Sequence, residues 1–234
     1  EVLCPDFPNK THQLFTFIKN IKENYFSTHR ITEEDLLKTD NYKNNIKRND
    51  HKLTFKNIDS YLKSLEIELV VQEFKKDNCQ RLSQLTQKTN QFNFTTIRYS
   101  ESDLIKIHSN SGKIFSLSVS DKFGNLGITG LLIIKEKDID ICEIDTFLMS
   151  CRILGRNIEI VFLKLILIKL KASGFNIVES KFVKTNKNSQ VENFFSNYYF
   201  EEKFSNELEK RYSLELNKNE IKFSESELEI FKII

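Results

Sequence analysis

The chain is 234 residues long, 39% hydrophobic and 29% charged, with a formal net charge of +2. That length suits one well-buried domain plus a smaller subdomain, and so even a charge balance leaves no electrostatic footprint for nucleic acid. The four cysteines (Cys4, Cys79, Cys142 and Cys151) form no C-x-x-C pair, which argues against a zinc knuckle or a disulfide framework and suits a reducing, cytoplasmic setting.

The chain opens on Glu rather than Met, and Val2 to Pro8 reads as a continuation from something upstream, so a piece of a longer protein is expected. Residues 1 to 65 are expected to be a small helical lead-in or linker. Leu14, Phe15, Phe17, Ile18 and Ile21 recur near a 3.6-residue period. Thr32-Glu-Glu-Asp35 resembles a capping box that opens a second helix to about Ile46, and a third covers Lys56 to Leu65.

From 66 to 218 strands and helices alternate. Ile67 to Phe74 reads as a strand, Asp77 to Thr86 as a helix, and Ser100-Glu-Ser-Asp103 caps a short helix to about His108. Ile114 to Ser120 and Ile128 to Lys135 form a hairpin about a turn at Phe123 to Gly127, and Ile139 to Met149 is the next antiparallel strand. Ile158 to Lys171 is a core helix. It is too short to span a bilayer and carries Glu159, Lys164 and Lys169, so no membrane is expected as a partner. Asn176 to Thr185 is a strand, Lys187 to Asn197 a helix, and Phe200 to Phe204 and Arg211 to Leu216 are closing strands. Residues 219 to 234 carry a C-terminal helix capped at Ser224-x-x-Glu227. The sum is an α/β (α+β) fold, a mixed sheet with helices on both faces.

Between the Ile-rich strand and the core helix lies Arg152-Ile153-Leu154-Gly155-Arg156-Asn157. A strand feeding a helix through a tight, arginine-flanked turn suits a pyrophosphate. The helix start offers unpaired N–H groups and the positive end of its dipole, and a glycine lets the phosphate approach. An ordinary strand-to-helix corner with solvated arginines would look the same.

The Arg-x-x-Gly-x-Asn spacing resembles the pyrophosphate turn of the GCN5-related acyltransferases. Asn188-x-x-Val191-x-x-Phe194-Phe195-x-x-x-Tyr199-Phe200 is similar to their last helix and following strand. Leu85 to Tyr99 (with Lys88-Thr-Asn-Gln-Phe-Asn93), Asp121 to Gly127 and Phe147 to Arg156 (with Ser150-Cys-Arg-Ile-Leu-Gly-Arg156) more narrowly resemble the C-terminal region of FkbH-like proteins, over roughly residues 1 to 205. That resemblance implies a GCN5-related N-acetyltransferase-like domain coupled to an upstream haloacid-dehalogenase-like phosphatase domain. It also implies transfer of a glyceryl group from 1,3-bisphosphoglycerate to the phosphopantetheine thiol of an acyl carrier protein, in polyketide or surface-glycan biosynthesis. The phosphatase motif Asp-x-Asp-x-Thr is missing here, since Asp138-Ile-Asp140-Ile-Cys142 lacks the threonine.

The fold so implied splays the strand ending at Met149 from the one at Asn176 to Thr185. A pantetheine arm, on a carrier protein or on coenzyme A or acetyl-CoA, is expected against Leu148, Met149, Arg152 to Asn157 and Asn188. An N–H near Leu148 would polarise the thioester. Cys151, flanked by arginines that favour its thiolate, is the candidate nucleophile, with Asn90 the second candidate catalytic residue. The alternative for Cys151 is a small residue packed at a crowded corner. Gln91, Asn93, Thr95, Thr96 and Arg98 are candidate substrate-binding residues around Phe92 and Phe94, or else a self-bonded Asn/Thr loop. His108 is a candidate base or a surface histidine. No metal is expected. Asn157 in place of a small residue, and Phe195 where many acyltransferases carry a thiolate-protonating tyrosine, set the chain apart; Tyr198 or Tyr199 would have to substitute. Three functions follow: an FkbH-like acyl-transfer module, an acetyl-CoA-dependent N-acyltransferase acting on an amine such as an amino sugar, or a non-catalytic carrier-protein docking domain.

Overall fold

The computed structural model describes residues 5, 7, 8, 10–25 and 38–234. The chain divides into two units, Glu1–Lys43 and Asn44–Ile234. In the first, the predicted helical period is realised as α1 (Leu14–Tyr25), with the Phe7 ring edge-on to Phe17 at 5.5 Å. The Thr32–Asp35 capping box lies outside the described residues. The next helix, α2 (Lys38–Leu53), runs well beyond Ile46. The unit boundary falls earlier than residue 65 because Arg48, Tyr61, Leu62 and Leu65 are all buried.

The second unit continues with α3 (Ile58–Ser64), β1 (Ile67–Glu73), α4 (Cys79–Lys88), β2 (Phe92–Asn93), α5 (Glu101–Ser109), β3 (Lys113–Asp121), β4 (Gly124–Glu136) and β5 (Ile141–Met149). Then come α6 (Ile158–Ala172), β6 (Ile177–Val183), α7 (Phe194–Asn197), β7 (Glu201–Ser205), β8 (Glu209–Glu215), α8 (Glu225–Ile230) and β9 (Phe231–Ile233). The strands form one mixed sheet in the order β7-β8-β6-β5-β4-β3-β1-β9, with β2 pairing β5 off that path.

Side chains alternate across a strand, and β4 shows why the sheet needs helices on both faces. Leu132 and Ile134 join the cluster built on α6, whereas Leu131 and Ile133 join the one built on Leu82, Leu85 and Leu104 of α4 and α5. The α6 helix is buried along most of its length, and it comes so close that a Cβ on Gly130 would stand 3.3 Å from the Phe162 ring. The predicted caps are present: Ser100 with Asp103, and Ser224 with Glu227, form reciprocal capping boxes.

Four expectations are corrected. The hairpin turn is Lys122-Phe123, with Asp121 opposite Gly124, so β4 begins at Gly124 rather than Ile128. Ile139 is 95% exposed in the turn before β5, because the strand starts only at Ile141. The helix expected over Lys187 to Asn197 splits into a 3-10 turn, Ser189–Val191, and the single turn α7. The C-terminal stretch is not all helix: β9 pairs parallel with Ile67 to Leu69 of β1.

Candidate active site

The expected splay is there. Parallel pairing of β5 with β6 runs from Ile141–Ile177 to Ile144–Ser180 and then stops, although both strands continue. The gap beyond is filled by the chain itself. Phe92 and Asn93 of β2 pair antiparallel with Met149 and Leu148. The Phe94 amide donates to the Phe147 carbonyl at 3.2 Å, and the Phe94 carbonyl accepts the Val183 amide at 2.8 Å. Thr95 Oγ1 donates to the Asp145 carbonyl at 2.9 Å.

The alternation that places Asn93 on one side of β2 places Phe92 and Phe94 on the other. There they meet Phe147 and Phe194, with every pair of the four ring centroids between 5.3 and 5.8 Å apart. Such edge-to-face and offset pairs each add about 0.5–1.5 kcal/mol beyond their burial. Phe195 packs against Phe94 at 4.5 Å and is buried in the same cluster. Tyr198 leans on Phe194 at 4.9 Å, and burial, then Glu159 and Glu227, push its hydroxyl upward.

Asn188, expected to bind the arm, instead holds β2. Its Nδ2 donates to the Asn93 and Val183 carbonyls, each at 2.9 Å, while its Oδ1 accepts the Thr185 amide at 2.8 Å. It is fully buried. Within the polar loop the bonds are largely internal. Asn93 donates to the Thr89 carbonyl and accepts the Thr96 amide, and Arg98 donates to the Thr86 and Thr89 carbonyls and to Asn90 Oδ1. Thr96 adopts φ +54°. Gln91 is exposed.

At the turn, Asp121 gathers two arginines. Arg48 binds it through both Nε and Nη2, at 2.7 and 2.8 Å, and Arg156 Nη1 lies 3.2 Å away. Arg156 also donates to the Arg152 carbonyl, and Arg152 Nε to Ser150 Oγ. Burial pulls the Arg156 guanidinium downward and Asp121 opposes it. Gly155 has φ +75°, and a Cβ there would meet no atom within 4 Å, so glycine is required by backbone conformation rather than by a close approach. Asn157 occupies the N-cap position of α6 at φ +60°, a left-handed conformation asparagine tolerates, and its side chain makes no capping bond. Behind it Ile153 and Ile158 are buried and Leu154 is half-buried. Glu159, in the first turn of α6, has a carboxylate oxygen buried without a partner, and burial raises its pKa.

Cys151 is exposed at the end of β5. Ser150 still pairs with β4 through the Thr129 carbonyl, and Cys151 opens the 3-10 turn Cys151–Ile153. The ladder between β2 and β5 is limited to Phe92 with Met149 and Asn93 with Leu148; Gln91 precedes it and is exposed, as is Cys151 beyond the end of β5. Cys151 and Gln91 are thus exposed and Asn90 is half-buried, while Asn93, Thr95 and Asn188 are buried. His108, on the last turn of α5, lies against Phe74 with the rings tilted and their centroids 4.8 Å apart.

Sequence reasoning missed Asp121, Arg48 and Asp145. Asp145 is buried and takes bonds from Tyr99 Oη at 2.5 Å, Lys135 Nζ at 2.5 Å and Thr146 Oγ1 at 3.0 Å. A carboxylate in the middle of an apolar strand was a readable signal. Arg48, in a lysine-rich helix, offered none.

No family model matches the chain, and no curated protein does. Solved structures do. The ribosomal-protein-S18-alanine N-acetyltransferase of Escherichia coli aligns with TM-score 0.50 and 8% identity, over 63% of this chain and 94% of its own. A chimeric spermidine N-acetyltransferase from Vibrio cholerae gives 0.50 and 15%, over 64% and 96%. A GNAT-family putative acetyltransferase from Desulfovibrio desulfuricans gives 0.50 and 8%, over 63% and 99%. The fold is thus that of the GNAT acetyltransferases, and at these identities the likeness is one of fold.

The residues as arranged do not fit a coenzyme A threaded through the sheet. The backbone edge of β5 that an arm would pair with is taken by β2, Arg156 is committed to Asp121, and a carboxylate occupies the first turn of α6. The expectation of a free amide edge at Leu148 and Met149 is corrected accordingly. Among the described residues no helix is long and apolar enough to cross a membrane, and no group of three His, Cys, Asp or Glu could hold a metal ion.

Proposed function

We propose that the chain is an acyl-transfer module of the FkbH-like kind, acting at its surface on the phosphopantetheine thiol of an acyl carrier protein. The observation that carries this reading is the exposed Cys151 at the rim of a groove that β2 fills. With the groove filled, a pantetheine arm can offer its thioester only at the rim. Cys151 attacks the acyl carbonyl, and the donor's leaving group departs. The carrier thiol then attacks the resulting thioester and releases the Cys151 sulfur. Asn90 and Gln91 lie beside the acyl group, where their amides hydrogen-bond glyceryl hydroxyls. An upstream phosphatase domain supplies the glyceryl group in this scheme, and a cytoplasmic setting keeps Cys151 reduced.

The reverse half-reaction provides the test. A carrier protein loaded with a glyceryl thioester is mixed with wild type and with Cys151→Ala, and each is weighed intact. One acyl group on wild type and none on the variant supports the reading; equal labelling of both removes Cys151. No labelling of either would favour a docking domain without chemistry, for which the filled groove also speaks. Acetyl-CoA with an amine acceptor tests the N-acyltransferase alternative, and turnover there would displace the carrier-protein reading.

A further inference from the structure

β2 forms, inside the protein, the bonds that a peptide-like ligand would form between the two diverging strands. Phe94 gives an N–H to Phe147 of β5 and takes one from Val183 of β6. A pantetheine arm carries two amides, each with one donor and one acceptor, and has the same chemistry to offer. We propose that β2 is a built-in occupant of the arm's groove, latched by Asn188, and that this latch is what excludes free coenzyme A and pantetheine from the chain. The inference deepens the surface-transfer reading, on which it rests for its biological meaning, although its own evidence is geometric.

Besides these backbone bonds, three side-chain connections hold the occupant. Phe92 and Phe94 are buried with Phe147 and Phe194, Thr95 ties it to the Asp145 carbonyl, and Asn188 ties Asn93 to Val183. The first is packing and keeps the segment near the sheet under any condition. The third fixes its depth, because one amide group spans the carbonyls of β2 and β6 at once. Asn188 is therefore a positioning residue that acts through β2, and it sets whether the edges of β5 and β6 are available to another amide.

The test uses the full chain and pantetheine as probe, read by amide chemical shifts and hydrogen exchange. Wild type should show no shift at Leu148, Met149 or Val183, with the Phe94 amide protected. Asn188→Ala should lower that protection about 10- to 100-fold, as the loss of buried hydrogen bonds requires, and should show saturable shifts at the three amides. Wild type binding pantetheine there while Phe94 stays protected would overturn the proposal. So would a folded variant whose Phe94 amide stays protected, or one whose Phe94 is freed yet binds nothing. Should Asn188→Ala fail to fold, Asn188→Asp keeps the acceptor for Thr185 and removes the donors, and Thr95→Val loosens β2 from the other strand with little change of shape. The readout involves no acyl group, so failure of Cys151 to label would leave this result standing, and failure here would leave the labelling result standing.

Discussion

Asn188 donates its side-chain amide to the backbone carbonyl of Asn93 at 2.9 Å, across 95 residues of sequence. Both residues are buried, and the bond joins the segment after β6 to the short strand that fills the groove. It makes a two-residue strand part of the sheet, which too few ladder bonds of its own would do.

Removing that amide takes this partner from the buried Asn93 carbonyl and from the part-buried Val183 carbonyl and Thr185 amide. Asn188→Ala should destabilise the fold by about 3 kcal/mol. Urea unfolding monitored by circular dichroism measures it. A loss below about 1 kcal/mol would mean that water reaches these groups.

Asp121 carries two guanidiniums, and its own side chain is fully shielded from solvent. Asp121→Asn leaves two buried cations facing each other and should cost about 3–5 kcal/mol. In a background where Arg48 and Arg156 are both replaced by Met, the same change should cost much less. Equal costs in the two backgrounds would show that the triad is not coupled.

Thiol reactivity should separate the three described cysteines. Cys151 is exposed, while Cys79 and Cys142 are buried; burial pushes the Cys142 thiol up to about 12. Iodoacetamide at about pH 8 should modify Cys151 in the folded protein and leave the other two until denaturant is added. Peptide mass mapping decides it, and modification of Cys142 at the rate of Cys151 would contradict the packing.

Burial raises the Glu159 carboxyl above its ordinary value of 4.5. A raised carboxyl holds its proton more tightly folded than unfolded. Its contribution is fully present below the unfolded value and is lost as pH rises through the folded one. Wild type should therefore lose stability relative to Glu159→Gln as pH rises above 4.5, and the variant should be the more stable protein at about pH 7. Thermal melts of both across that range check it; parallel pH curves would place the ionising group elsewhere.

Much of the fold was legible because its signals are local. A serine followed three residues later by an acid closes a helix start whatever surrounds it, as at Ser100 and Ser224. Alternation at Leu131 to Ile134 puts side chains on opposite faces without reference to the rest of the chain. The arginine-flanked glycine turn was legible as the corner before α6, and the structure adds that Gly155 and Asn157 are left-handed there. The errors lie where a local signal is weak: Ile139 is apolar but sits in a turn, and β9 is only three residues long.

The site was legible as a place and not as a set of bonds. The strand-to-helix corner in the sequence put Cys151 at the end of a strand, and the resemblance to the GCN5-related acyltransferases implied that this strand diverges from its parallel neighbour. The tertiary structure was needed to decide what fills the divergence and what the arginines hold. Arg156 meets an aspartate 35 positions earlier, and Asn188 meets a carbonyl 95 positions earlier. Neither pairing has a period or a spacing. Each exists because packing brings a buried polar group to the one partner that spares it the cost of desolvation.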